Sequence, residues 1–291
     1  MMITSETHEA EAYATATVKR AHTSFYWAMR VLEPQKRNAM YAIYAFCRVV
    51  DDIADNPGEA DDKRARLQSW RQEIANIFAG NPTGPVGRAL SVANSRFDLA
   101  QADFMAIIDG MDMDVGVGRT QGRVRIADLA ELELYCDRVA GAVGRLSTQV
   151  FGLDLKSRES LGISLGRALQ LTNILRDLKE DAGIDRLYLP LELLKRHGIE
   201  ATEPDDVLSA PAIGAVCAEI AQMAEQYFIQ SDIILSGLQR AKIRPAIIMS
   251  EMYKRVLRRL IARGWADLNT PVRLSRLTRI WIAIRYGLLG A

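Results

Sequence analysis

Cysteine and net charge are both scarce in this chain, and each scarcity excludes a class of function. Three cysteines, Cys47, Cys136 and Cys217, lie far apart with no CxxC pair, so neither a disulfide framework nor a thiolate metal site is expected, and a reducing cytoplasm fits. Thirty-seven Lys and Arg against 36 Asp and Glu leave a formal net charge of +1, too little field to favour nucleic acid as a partner. No uninterrupted apolar run approaches the roughly 20 residues that span a bilayer. The first residues carry acids where a signal peptide has a basic stretch followed by an apolar one, so residues 1–16 read as a disordered tail ahead of a single domain over 17–291.

What the chain does have is helix-periodic apolar sequence. Hydrophobic residues make up 49% of the 291, enough for a large core, and the long runs Asn38–Ala54, Asp61–Phe78, Gln101–Met113, Ile126–Phe151, Ser157–Lys179, Ala212–Leu238 and Arg244–Arg263 exceed strand length. The fold class predicted is all-α, with breaks where Gly and Pro cluster: 56–58, 80–85, 116–122, 183–190 and 198–211.

Two acidic segments interrupt that apolar pattern, Asp51-Asp52-Ile53-Ala54-Asp55 and Asp177-Leu178-Lys179-Glu180-Asp181. Each sets carboxylates at i and i+4, one helical turn apart on one face, where they repel unless a cation lies between them. Tyr44, Arg48, Asp51 and Asp55 step by four, three and four along one stripe. Gln170, Asn173, Asp177 and Asp181 step by three, four and four along another, with Arg176 beside them. An internal Arg48–Asp52 pair on a surface helix explains the first stripe taken alone. Two such stripes, each in apolar surroundings with an adjacent arginine, point to divalent cations and to a phosphate-bearing ligand.

The segments Tyr44–Asp55 and Gln170–Asp181 closely resemble the paired signatures of the squalene/phytoene synthase family. The likeness extends to Tyr135-Cys136-Asp137-Arg138-Val139-Ala140-Gly141-Ala142-Val143-Gly144 and to Asp185-Arg186-Leu187-Tyr188-Leu189-Pro190, covering roughly Ser24 to Pro190. The resemblance implies an isoprenoid-synthase fold, with helices around a central cavity, and a prenyltransferase that joins two allylic diphosphates head to head. It implies Mg²⁺, with Mn²⁺ as an alternative, held by Asp51, Asp55, Asn173, Asp177 and Asp181, and a catalytic set of Tyr44, Asp51, Asp55, Tyr135, Asp177 and Asp181. Substrate contacts carry over to His22, Ser24, Phe25, Tyr44, Arg48, Gln170, Asn173, Arg176, Arg186, Tyr188 and Trp265. Small residues Ala140, Gly141, Ala142 and Gly144 leave room for isoprenoid tails; Gly141 and Gly144 each cost roughly 1 kcal/mol in a helix, which asks for a packing or clearance reason.

Asp51-Asp52, where phytoene synthases commonly have Asp-Glu, favours farnesyl diphosphate as substrate, and the combination of Ser24–Arg30, Phe46–Asp55 and Glu180–Gly183 resembles the branch that makes presqualene diphosphate for hopanoids, which implies downstream enzymes of that route as partners. A phytoene or dehydrosqualene synthase, a hydroxysqualene-forming relative and a non-catalytic assembly factor are the alternatives. The chain stops at Ala291 without the added segments that eukaryotic squalene synthases use with NADPH, so no NADPH is expected. Finally, Leu274 to Leu289 mixes Ile280, Trp281, Ile282, Ile284 and Tyr286 with Arg276, Arg279 and Arg285. That composition fits a core-packing helix with a solvated arginine edge, and it fits an interfacial helix that gives peripheral contact at the inner face of a membrane.

Overall fold

In the computed structural model, which describes residues 2–21, 23–116, 123–268 and 270–287, nearly all regular structure is helical. The helices are α1 (Met2–Arg20), α2 (Ser24–Met29), α3 (Pro34–Asp55), α4 (Ala60–Phe78), α5 (Gly84–Phe97), α6 (Gln101–Val115), α7 (Leu129–Cys136), α8 (Ala142–Phe151), α9 (Leu155–Ala182), α10 (Leu191–Arg196), α11 (Pro204–Leu208), α12 (Ile213–Ser236), α13 (Arg240–Arg263) and α14 (Arg276–Gly287). A π-turn over Asp137–Gly141 joins α7 to α8. Among the described residues the strands are two short ones, β1 (Val124–Arg125) and β2 (Arg186–Leu187), paired in parallel with Val124 opposite Arg186.

The tail expected over residues 1–16 is instead most of α1. Ala10, Ala14 and Val18, four residues apart, are at most 1% exposed, and they bury that stripe against α3 and α5. Alanine adds little to a hydrophobicity profile, so the stripe was faint in the sequence. Helix α5 begins inside the Gly80–Pro85 cluster read as a connection: Gly84 takes φ +57° and Pro85 sits in the first turn, where its missing N–H costs nothing.

Helices α3 and α9 carry the two acidic motifs, and α6, α8 and the π-turn pack between and beneath them. Backbone contact between α8 and α9 is close because glycines face one another. A Cβ on Gly144 would lie 2.9 Å from the Gly162 Cα, and one on Gly166 would lie 2.7 Å from the Gly141 Cα. Close packing is therefore the reason Gly144 required, and Gly141 supplies backbone on which Gly166 packs.

Candidate active site

A cavity of about 690 Å³ opens between these helices. On α3, Ile43, Phe46, Val50 and Ile53 are at most 2% exposed, which fixes the helix and turns Tyr44, Arg48, Asp51 and Asp55 to the cavity. On α9, Leu171, Ile174, Leu175 and Leu178 are buried in the same way, and Gln170, Asn173, Arg176, Asp177 and Asp181 line the opposite wall. Phe25, Tyr135, Arg186 and Tyr188 complete the set that the sequence placed together.

The electrostatics of the two walls are joined. Burial pushes the Asp181 carboxyl up to about 8, helped by Asp177 and, across the cavity, by Asp114 and Asp55, while Arg186 opposes the shift. Asp51 is pushed up to about 7, by burial first and then by Asp55, although its side chain keeps 42% of its surface open. Arg48 reaches both Asp51 (3.1 Å) and Asp52 (2.6 Å), so the pair that a plain surface helix would make is present beside the cavity. Arg176 donates through Nε to Asp177 at 2.7 Å. Arg186 is 8% exposed and donates to Asp55 at 2.6 Å and to the Ala54 carbonyl at 3.1 Å, tying the strand after the second motif to the end of the first.

Asp114, at the end of α6, escaped the sequence reading. It is 6% exposed and accepts hydrogen bonds from the Tyr135 hydroxyl (3.2 Å) and the Tyr188 hydroxyl (2.7 Å). The two rings stack at 4.8 Å with 25° between their planes. Burial pushes the Asp114 carboxyl up to about 6 against the pull of Arg186 and both phenols, and raises both tyrosines well above their ordinary value. Asp114 sits in a helix with three other aspartates, Asp103, Asp109 and Asp112, and no repeat singles it out. The buried tyrosines that needed an acceptor were the available signal.

Two of the expected substrate contacts lie off the cavity lining. Ser24 does not line the cavity; its neighbour Thr23 does, capping α2 by accepting from the Phe25 amide at 3.2 Å. Ser24 is the first residue of the short helix that Thr23 caps. Trp265 lies outside the cavity as well. It packs beside Gly214 at the start of α12, with the Arg263 guanidinium 6.0 Å from its ring. His22 lies outside the described residues. Of the small residues, Ala140 and Gly144 line the cavity, whereas Ala142 is fully buried in the core.

The donors suit a hard divalent cation. The set is all oxygen, the carboxylates are forced toward protonation by one another and by burial, and the Asn173 Oδ1 is buried without a partner while its amide donates to Gln170 at 3.2 Å. Among the described residues no three or more carboxylate, His or Cys groups converge tightly enough to enclose a metal by themselves. Carboxylate pairs with ligand oxygens completing the shell match how Mg²⁺ is held with phosphates. Cys47 also lines the cavity, and burial pushes its thiol up to about 12, away from the thiolate form.

Residues 18–278 match the family model of squalene/phytoene synthase. The chain is 45% identical over 267 residues to presqualene diphosphate synthase of Rhodopseudomonas palustris, covering 92% of this chain and 94% of that one. It is 43% identical over 281 residues to presqualene diphosphate synthase of Sinorhizobium fredii, covering 97% and 99%. A crystal structure of a dehydrosqualene synthase in complex with ligand superposes with a TM-score of 0.82 at 25% identity, covering 98% of this chain and 97% of that one. The architecture is the isoprenoid-synthase fold that the motifs implied.

Proposed function

Because this chain belongs to the squalene/phytoene synthase family of prenyltransferases, we propose that it joins two molecules of farnesyl diphosphate head to head, giving presqualene diphosphate and inorganic diphosphate. The observation that carries the reading is one cavity with both carboxylate pairs and three arginines at its polar side and an apolar remainder formed by residues such as Met29, Met111, Leu165 and Met249.

Divalent cations, Mg²⁺ or Mn²⁺, bound by Asp51, Asp55, Asn173, Asp177 and Asp181 would supply the charge that makes diphosphate a leaving group. Arg48, Arg176 and Arg186 present guanidinium forks suited to phosphate oxygens. As the C–O bond of the first substrate breaks, its electron pair leaves with diphosphate and an allylic cation remains. The double bond of the second substrate attacks that cation, and loss of a proton closes the cyclopropane ring. The stacked Tyr135 and Tyr188 offer ring faces that attract positive charge without capturing it, and Asp114 occupies both hydroxyls. Exclusion of water by the apolar walls protects the cation. Work in the cytoplasm with peripheral contact at a membrane belongs to the same proposal, since the product carries a large apolar body behind a single diphosphate.

Incubation with labelled farnesyl or geranylgeranyl diphosphate, with Mg²⁺ and with or without NADPH, tests it. Presqualene diphosphate from the shorter substrate in both arms is the expected result. Product from the longer substrate alone assigns a phytoene synthase, and consumption of added presqualene diphosphate without its formation assigns a hydroxysqualene-forming enzyme.

A further inference from the structure

Helix α14 uses two opposite faces. Ile282, Ala283 and Gly287 are buried, with Gly287 so close to Val31 and Ile248 that an added Cβ would lie 2.7 Å and 3.3 Å from them. On the other face Leu277, Trp281 and Ile284, at steps of four and three, form one stripe that is 79%, 51% and 44% exposed. A stripe of this kind on a helix already packed by its other face leaves apolar surface in water with no use for the core.

The chain segment that carries the stripe bears charge of one sign. From Leu268 to Ala291 the sequence holds four arginines and no acidic residue, in a chain whose net charge is +1. Arg276 and Arg285 on α14 are exposed, as are Arg258 and Arg259 on the neighbouring end of α13, and the Arg285 guanidinium lies 5.5 Å from the Trp281 ring centroid. No helix among the described residues is long and apolar enough to cross a membrane. Resting on the peripheral contact proposed above, the geometry points to the Leu277–Trp281–Ile284 face of α14 as the surface that lies on an anionic lipid bilayer, with the stripe in the headgroup layer and the arginines on lipid phosphates. A second copy of this chain is a poor occupant, because a two-fold contact across this face would set arginines against arginines.

The experiment is co-sedimentation of the full chain with vesicles of phosphatidylcholine alone or mixed with phosphatidylglycerol, over a range of NaCl. Binding to the anionic vesicles only, weakened by salt, is expected. Arg276→Glu with Arg285→Glu should lower the partition constant by more than the roughly fivefold that each lost arginine is worth, and Leu277→Ser with Ile284→Ser should lower it at every salt concentration. A blue shift of the emission on vesicle addition, lost in Trp281→Phe, would place this side chain in the headgroup layer. Turnover of farnesyl diphosphate in vesicle-free buffer should be unchanged in all of these variants, which reports their fold. Equal binding to neutral vesicles, binding untouched by the variants, no binding, or a dimer or protein complex dissolved by the same substitutions would each overturn the assignment. Vesicle binding is read without turnover, so its failure leaves the proposed reaction standing, and a chain that binds vesicles but makes no presqualene diphosphate leaves this surface standing.

Discussion

Asp114 is the residue whose role was least visible in the sequence and is most constrained in the structure. Its two oxygens accept one phenol each, so it fixes the tilt of both rings that face the cavity. Asp114→Asn keeps one acceptor oxygen and replaces the other with a donor, so one phenol must accept where it donated and its own proton loses its partner. Turnover should fall on the order of 10- to 100-fold, as for other groups that orient a functional side chain from behind, while half-saturating Mg²⁺ stays near its original value. Steady-state kinetics with varied Mg²⁺ separates this from a metal ligand: a parallel loss of Mg²⁺ affinity would assign Asp114 to the cation site. Asp51→Ala with Asp177→Ala should behave oppositely, removing Mg²⁺-dependent turnover with little change in the far-ultraviolet circular dichroism spectrum. Unchanged turnover in that double variant would sink the metal reading. The four motif aspartates, Arg48, Arg176 and Asn173 were legible because spacing on a helix fixes which side chains share a face. Asp114 was not, because its partners come from other elements and no local spacing encodes a contact of that range.

At the scale of elements, the glycines of α8 and α9 show how a helix cost becomes a packing requirement. Gly144 meets the backbone of α9 and Gly166 that of the π-turn, each within 2.9 Å of where a Cβ would stand, and backbone cannot swing aside. Gly144→Ala should destabilise by about 1–3 kcal/mol, the range for overpacking a filled interior, and lower the midpoint of thermal unfolding. Gly141→Ala is the internal control. Its added Cβ would meet only the Arg145 and Asp137 side chains at 3.5 Å and beyond, so its stability should hold or rise by up to about 1 kcal/mol through helix propensity. Equal destabilisation by both substitutions would contradict the packing account. The long helices were readable from periodicity because each buries a wide apolar stripe. Helix α1 was not, since its buried face is built of Ala10, Ala14 and Val18, and α5 was hidden by glycine and proline that start it in place of ending its predecessor.

Across the whole molecule, the acidic cavity makes stability depend on pH in a direction opposite to ordinary acid denaturation. The folded carboxyls of Asp114, Asp51 and Asp181 stand at about 6, about 7 and about 8, against roughly 3.9 for an unfolded aspartate. Between these limits the folded chain holds more protons than the unfolded one, so stability falls as pH rises. The contribution is fully present below about pH 4 and is lost by about pH 8. Water screens part of the share of Asp51, whose side chain is 42% exposed, and less of that of Asp114. Asp185 and Glu251 are shifted downward by their arginine and lysine partners, so their contribution is lost only as pH falls through the lower carboxylate range, below the interval from pH 6 to 8. In EDTA, the thermal midpoint should therefore be higher at pH 6 than at pH 8. Mg²⁺ with inorganic diphosphate should raise it more at pH 8, because cations stabilise the ionised carboxylates that burial penalises. Asp181→Asn should raise the metal-free midpoint at pH 8 and flatten its fall from pH 6, while shrinking the gain from Mg²⁺ and diphosphate. A midpoint in EDTA that rises from pH 6 to 8 would mean the carboxylates are relieved without cations, and the charge argument for the cavity would fail.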